Sequence, residues 1–203
     1  VYFWGLPNIV VRFVSQLSFT DLHKNFIYHV LTFGTTTGQA HYMMQELLKS
    51  KGLWLDAKYN VRMVDVWTPL FDVSDYKKCL RKTEKAEKDI SKVTERVVTR
   101  QGGNFDYLRL HHWLAHWYYL TYENQRKTKH FHVMKDRCIG CSKCARQCPE
   151  QAIEISNGYP VWITEKCTLC LKCLHHCPQF AIQYGKHTLK HGQFVYPRKP
   201  DGL

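Results

Sequence analysis

Apolar positions recur along this chain with two different periods, and the changes between them mark out its elements. Ile9, Val10, Phe13, Val14 and Leu17 fall at helical spacing across Asn8 to Ser18. Phe26 to Phe33 is a short run rich in β-branched and aromatic residues, closed by Gly34-Thr-Thr-Thr-Gly38, and it predicts a strand and a turn. Gln39 to Lys51 returns to helical spacing, with Met43, Met44, Leu47 and Leu48 on one side and Gly52 as the stop. Asn60 to Trp67 predicts the next strand. Strands separated by helices imply right-handed βαβ units and a parallel sheet.

The texture then changes. Asp75 to Thr99 carries Lys, Arg and Glu three or four residues apart, the signature of a solvated helix. Gln101-Gly-Gly-Asn104 reads as a break, and Phe105 to Tyr122 as a second helix crowded with Trp, Tyr and His. His111, His112 and His116 include a pair four apart that could ligate a metal, although a shared aromatic face accounts for them more simply. From about residue 129 short strands are expected at Phe131 to Met134, Ala152 to Ile155, Val161 to Thr164 and Ala181 to Tyr184. The tail from about Gly185 lacks periodicity and predicts an extended wrap or a loose end. Three regions follow: 1–73, a helical linker over 74–128, and 129–203.

Composition narrows the classes. Forty-four per cent of the 203 residues are hydrophobic, enough for a packed core. A formal charge of +12 favours an acidic redox partner; nucleic acid or anionic lipid rests on that charge alone, since no basic run is interleaved with aromatics. No apolar run approaches a membrane span, and no signal peptide is present. The chain opens on Val1, mid-pattern between a strand end and a helix, which points to a fragment of a longer protein.

Eight of the nine cysteines crowd between Cys138 and Cys177, which argues against a disulfide scaffold. The ninth, Cys79, reads as a surface or half-buried thiol. A period of 29 residues superposes CIGCSKCARQCPEQAI on CTLCLKCLHHCPQFAI, with Arg137 and Lys166 just before the first cysteines. Each run is C-x2-C-x2-C-x3-C-P. Three thiolates two residues apart wrap a short loop around one face of a cubane cluster, and the fourth leads away. Structural zinc usually takes two separated C-x2-C pairs, and a duplicated run of this kind fits it poorly. Lys143, Arg146 and Lys172, set among the ligands, could offset cluster charge, or simply be solvated.

Residues 129 to about 186 resemble bacterial two-cluster ferredoxins. The resemblance implies crossed ligation: Cys138, Cys141, Cys144 and Cys177 for one [4Fe-4S] cluster, and Cys167, Cys170, Cys173 and Cys148 for the other. Two oxidised clusters, each about −2 with its thiolates, would lower the net charge to roughly +8. The first 73 residues resemble the second half of a flavodoxin-like domain through Tyr2-Phe-Trp-Gly-Leu-Pro7, Leu31-Thr-Phe-Gly-Thr-Thr-Thr-Gly38, Met63-Val-Asp-Val-Trp67 and Pro69-Leu-Phe71. The whole is similar to fused flavodoxin–ferredoxin proteins of anaerobic bacteria and archaea.

That resemblance implies an α/β domain followed by an α+β ferredoxin-like domain, with FMN as a further cofactor. Tyr2, Phe3 and Trp4 would stack on the isoalloxazine, beside Gly5 and Phe33. Gly34, Thr35, Thr36 and Gly38 would offer amides to its polar edge, at the strand ends where open α/β sheets bind ligands. The family's Ser/Thr-Gly-Asn-Thr phosphate turn is absent from these residues, and Val64 and Val66-Trp67 stand where Pro and Asn-Tyr are common. The expectation is a cytoplasmic electron carrier passing low-potential electrons between two clusters, FMN and partner proteins with an acidic docking face. The rival is a flavin and iron–sulfur oxidoreductase acting on a small substrate; no acid–base constellation for it stands out.

Overall fold

The computed structural model of the chain describes residues 1–19, 25–106 and 112–196, and of His112 only the backbone. His111 lies outside the described residues. The chain forms two compact units, Val1–Val64 with Glu84–Glu123, and Asp65–Thr83 with Asn124–Leu203. The stretch expected as a linker is shared between them.

The first unit is built on a parallel sheet. Strand β1 (Tyr28–Phe33) pairs with β2 (Ala57–Arg62) in the register Tyr28 to Ala57 through Phe33 to Arg62. The second strand therefore starts three residues before the hydrophobic pattern suggested and ends five earlier. Val64 to Trp67 leaves the sheet. Gly103–Asn104, expected as a plain break, is a short third strand, β3, parallel to β2. The sheet order is β1-β2-β3.

Helices flank both faces. Helix α1 (Asn8–Gln16) starts behind Pro7, whose φ of −58° is already helical. Helix α2 (Ala40–Lys49) connects β1 to β2 and is followed by Gly52, at φ +73°. Leu6, Val14, Leu31, Ala40, Met44, Leu48 and Leu53 form the core on this side. On the other side the long charged helix α3 (Tyr76–Val98) contributes Ala86 and Val93 to a core with Ala57, Tyr59 and Val61. Period-two alternation along β2 puts Ala57, Tyr59 and Val61 on one face, turned into this core. The expected helix over Phe105 to Tyr122 is observed as α4 (His112–Leu120) and α5 (Tyr122–Gln125).

Between β1, β2 and α2 runs a polar chain. His41 Nε2 lies 2.8 Å from Asn60 Oδ1, so it donates there, and its Nδ1 accepts at 3.1 Å from His29 Nδ1. Asn60 Nδ2 and Thr37 Oγ1 both donate to Asp106 Oδ1, at 2.8 and 2.9 Å. Every donor points the same way, towards the carboxylate. Burial, with His41, the amino terminus and Lys58 nearby, holds the His29 ring down at about 3.

The second unit contains two small antiparallel ladders. Strand β4 (Phe131–Val133) pairs with β7 (Ile182–Tyr184), and β5 (Ile153–Ser156) with β6 (Tyr159–Trp162). The β5–β6 hairpin turns on Asn157-Gly158, both at positive φ, as a two-residue primed turn requires. Short helices α6 (Lys143–Arg146) and α7 (Lys172–His175) sit 29 residues apart, one in each cysteine run. The tail is not simply extended: it forms α8 (Thr188–His191). Cys79 is buried, its thiol facing the Val73 carbonyl at 3.6 Å.

Candidate metal centre

Each cysteine run has to bend a short loop around something, and the backbone shows how. Gly140, Ser142 and Gln151 have φ of 66°, 60° and 50°; their repeat equivalents Leu169, Leu171 and Phe180 have 56°, 53° and 48°. Alternating right- and left-handed residues turn successive N–H groups towards one concave side, a geometry that favours an anion. The sulfurs sit inside it. Ala152 and Ala181 donate their N–H to Cys148 Sγ and Cys177 Sγ, each at 3.3 Å, and Leu169 donates to Cys167 Sγ at 3.4 Å.

The eight cysteines sort into two cavities. One, with about 380 Å³ of open space, is lined by Cys138, Cys141, Cys144 and Cys177. The other, of about 350 Å³, is lined by Cys148, Cys167, Cys170 and Cys173, with Phe131 and Trp162 in its wall. Each cavity takes three cysteines of one run and the fourth of the other. Pro149 and Pro178 follow the cysteines that cross over.

Two kinds of occupant make different demands on these sulfurs. Tetrahedral zinc would draw four sulfurs to about 3.8 Å of one another. Among the described residues no three His, Cys, Asp or Glu side chains form a group that could hold a single metal ion. Four thiols spread around each cavity suit a polynuclear cluster. Burial also pushes the thiols of Cys144, Cys170 and Cys173 up, and that of Cys167 up to about 11. Buried thiolates with so little compensating charge need cations among them, which cluster iron supplies.

Several supports were not visible in the sequence. Arg126 grips the start of the second run: its carbonyl accepts from the Cys167 N–H at 3.0 Å and its Nε donates to the Cys167 carbonyl at 2.9 Å. His175 donates from Nε2 to the Val66 carbonyl at 2.8 Å and accepts the Phe194 N–H at Nδ1, 3.2 Å, which fixes a neutral ring; burial lowers its basicity further. Gln193 Nε2 faces the carbonyls of Leu174, His175 and Cys177 at 3.0–3.1 Å, capping α7. A lone Arg, His and Gln outside the motif carry no signal of their own. Only the difference between His175 and its repeat equivalent Arg146 hints at a special environment.

The residues expected at a flavin are brought together, with a different use of their rings. Tyr2 and Gly5 exchange backbone hydrogen bonds at 3.0 and 2.8 Å around Phe3 and Trp4, both at positive φ. The Trp4 carbonyl accepts the Gln39 N–H at 2.8 Å, joining this turn to the Gly34–Gly38 loop. Phe3 stacks on Tyr118 (5.7 Å) and also meets Tyr122, while Trp4 meets Tyr118 at 4.4 Å, so both rings already have partners on α4 and α5. Gly34 accepts from Arg62 Nε, the Gly38 N–H points to the Thr36 hydroxyl at 3.2 Å, and Phe33 is buried. Thr35 is exposed. Trp67, from the third quoted segment, packs on Tyr184 at 5.7 Å.

Residues 128–184 match the family model described as a 4Fe-4S dicluster domain. The chain therefore contains an iron–sulfur domain of the electron-transfer class, covering both cysteine runs. No match was found among curated proteins or among solved structures. Among the described residues no helix is long and apolar enough to cross a membrane.

Proposed function

We propose that this chain is an electron-transfer protein holding two [4Fe-4S] clusters, one on Cys138, Cys141, Cys144 and Cys177 and the other on Cys148, Cys167, Cys170 and Cys173. The observation that carries the reading is the sorting of eight cysteines into two four-thiol cavities, each completed by a ligand from the other run. When bound, each cluster supplies one-electron chemistry. The chain's own part is to hold and tune. Amides of Ala152, Leu169 and Ala181 donate to sulfur, which stabilises added negative charge and raises a potential, while apolar cover at Phe131, Trp162 and Leu171 opposes it. Crossed ligands tie the two loops into one rigid body, so little has to rearrange when an electron moves.

FMN belongs to the same reading as a further cofactor, one that these 203 residues by themselves would hold weakly. Its support is the β1-β2-β3 parallel order and the joining of the Tyr2–Gly5 turn to the Gly34–Gly38 loop just beyond β1. Basic residues beside the first run, Arg137, Lys143 and Arg146, suit a partner with an acidic docking face. Elemental analysis of anaerobically purified protein tests the central claim. About eight iron and eight sulfide per chain are expected for two cubanes; stoichiometric zinc with little iron would refute it.

A further inference from the structure

The duplicated runs are alike in ligands and unlike in surroundings. In the first, Ile139 is 63% exposed and Cys141 is exposed. In the second, Cys167, Thr168, Leu169 and Leu171 are all buried, the two leucines to 3% and 2%. The difference is written at the left-handed positions, where the first run has Gly140 and Ser142 and the second has Leu169 and Leu171. A left-handed leucine is strained by roughly 1–2 kcal/mol, and full burial of its side chain offsets that. The cover is then locked. Arg126 grips Cys167 from both sides, Thr128 donates its N–H to the Glu165 carbonyl and its hydroxyl to the Thr164 carbonyl, and His175 with Gln193 pins the loop before β7 to the tail.

We propose that the two four-cysteine sites do different jobs: the first, at Cys138, Cys141, Cys144 and Cys177, is where electrons cross the protein surface, and the second is an interior relay. This inference rests on the cluster reading given above. Each electron that leaves at the first site for an external protein acceptor is replaced by one from the second, and the reverse holds on reduction. Leu169 and Leu171 are the residues that set this division. Tunnelling rates fall steeply with distance, so a partner reaches the loop that carries exposed Cys141 and Ile139 first.

A thiol footprint tests it on the intact, cluster-loaded chain. Iron is withdrawn with a chelator, freed thiols are trapped with iodoacetamide at intervals, and the labelled cysteines are located by mass spectrometry. The expected order is Cys138, Cys141, Cys144 and Cys177 first, at least about tenfold faster than the other four, since loss from the second site needs local opening. Substituting Leu169→Gly together with Leu171→Ser, the residues of the first run, should bring the two rates to within about threefold. In the same pair of proteins, the rate at which a reduced sample is oxidised by a small cationic metal complex should rise at the second site only. A loaded wild-type chain that frees all eight cysteines together, or the second set first, overturns the inference while leaving the cluster reading intact. A chain that takes up no iron overturns both.

Discussion

Acid should loosen the first unit through His29. The fold keeps this ring neutral, with its pKa at about 3 against an ordinary 6.5. Below 6.5 the unfolded chain binds a proton that the folded one refuses, so stability falls as pH drops through that value and goes on falling until about 3. Between pH 7 and pH 5 the loss from this one group is about 2 kcal/mol, a few tens-fold in the opening equilibrium. His41 is shifted in the same direction by burial and adds to it. Hydrogen exchange of the β1 and β2 amides, corrected for the intrinsic effect of pH, reads this unit separately from the cysteine-bearing one. Protection unchanged between pH 7 and pH 5 would refute the reasoning. So would an NMR titration in which the His29 ring protonates with a midpoint above 5.

Gly38→Ala should cost the first unit about 2–5 kcal/mol, because a Cβ there would lie 2.1 Å from the Trp4 carbonyl oxygen at a φ of +57°; a melting midpoint equal to wild type would contradict this. Cys148→Ala should damage the cluster of the second run, and in a background that also lacks Cys138, Cys141 and Cys144 the spectrum of the remaining cluster should change; no change would overturn the crossed assignment. FMN should bind these 203 residues no more tightly than about millimolar, since ring stacking alone contributes a few kcal/mol and no helix-capped phosphate turn is present. Flavin fluorescence giving a submicromolar Kd would show that the phosphate turn is dispensable.

Spacing made the candidate metal centre legible as two groups of four cysteines. Cysteine is reactive, costly to crowd and short, so the interval between cysteines alone dictates which loops can close on a common centre. The strands of the first unit were legible where β-branched and aromatic residues cluster, as at Tyr28–Phe33, of which Leu31 and Phe33 are buried. The edge of β2 was not. Val64, Val66 and Trp67 look like a strand continuing, yet Val66 and Trp67 serve the second unit, where the Val66 carbonyl meets His175 and Trp67 meets Tyr184. Gly103–Asn104 carries no strand propensity at all; it pairs because Gly103 N–H finds the Asp56 carbonyl at 2.8 Å. Such contacts are tertiary, and no local period announces them.

Five side chains in the cysteine runs, Ser142, Gln151, Leu169, Leu171 and Phe180, are held in the left-handed region. At roughly 1–2 kcal/mol each this comes to about 5–10 kcal/mol, comparable with the whole stability of a small domain. Burial offsets this cost at Leu169 and Leu171, whereas exposed Gln151 and half-buried Ser142 and Phe180 have less to offset it. On the proposed cluster reading, bound clusters would contribute to holding these turns, so cofactor loading and the folding of the two loops become coupled.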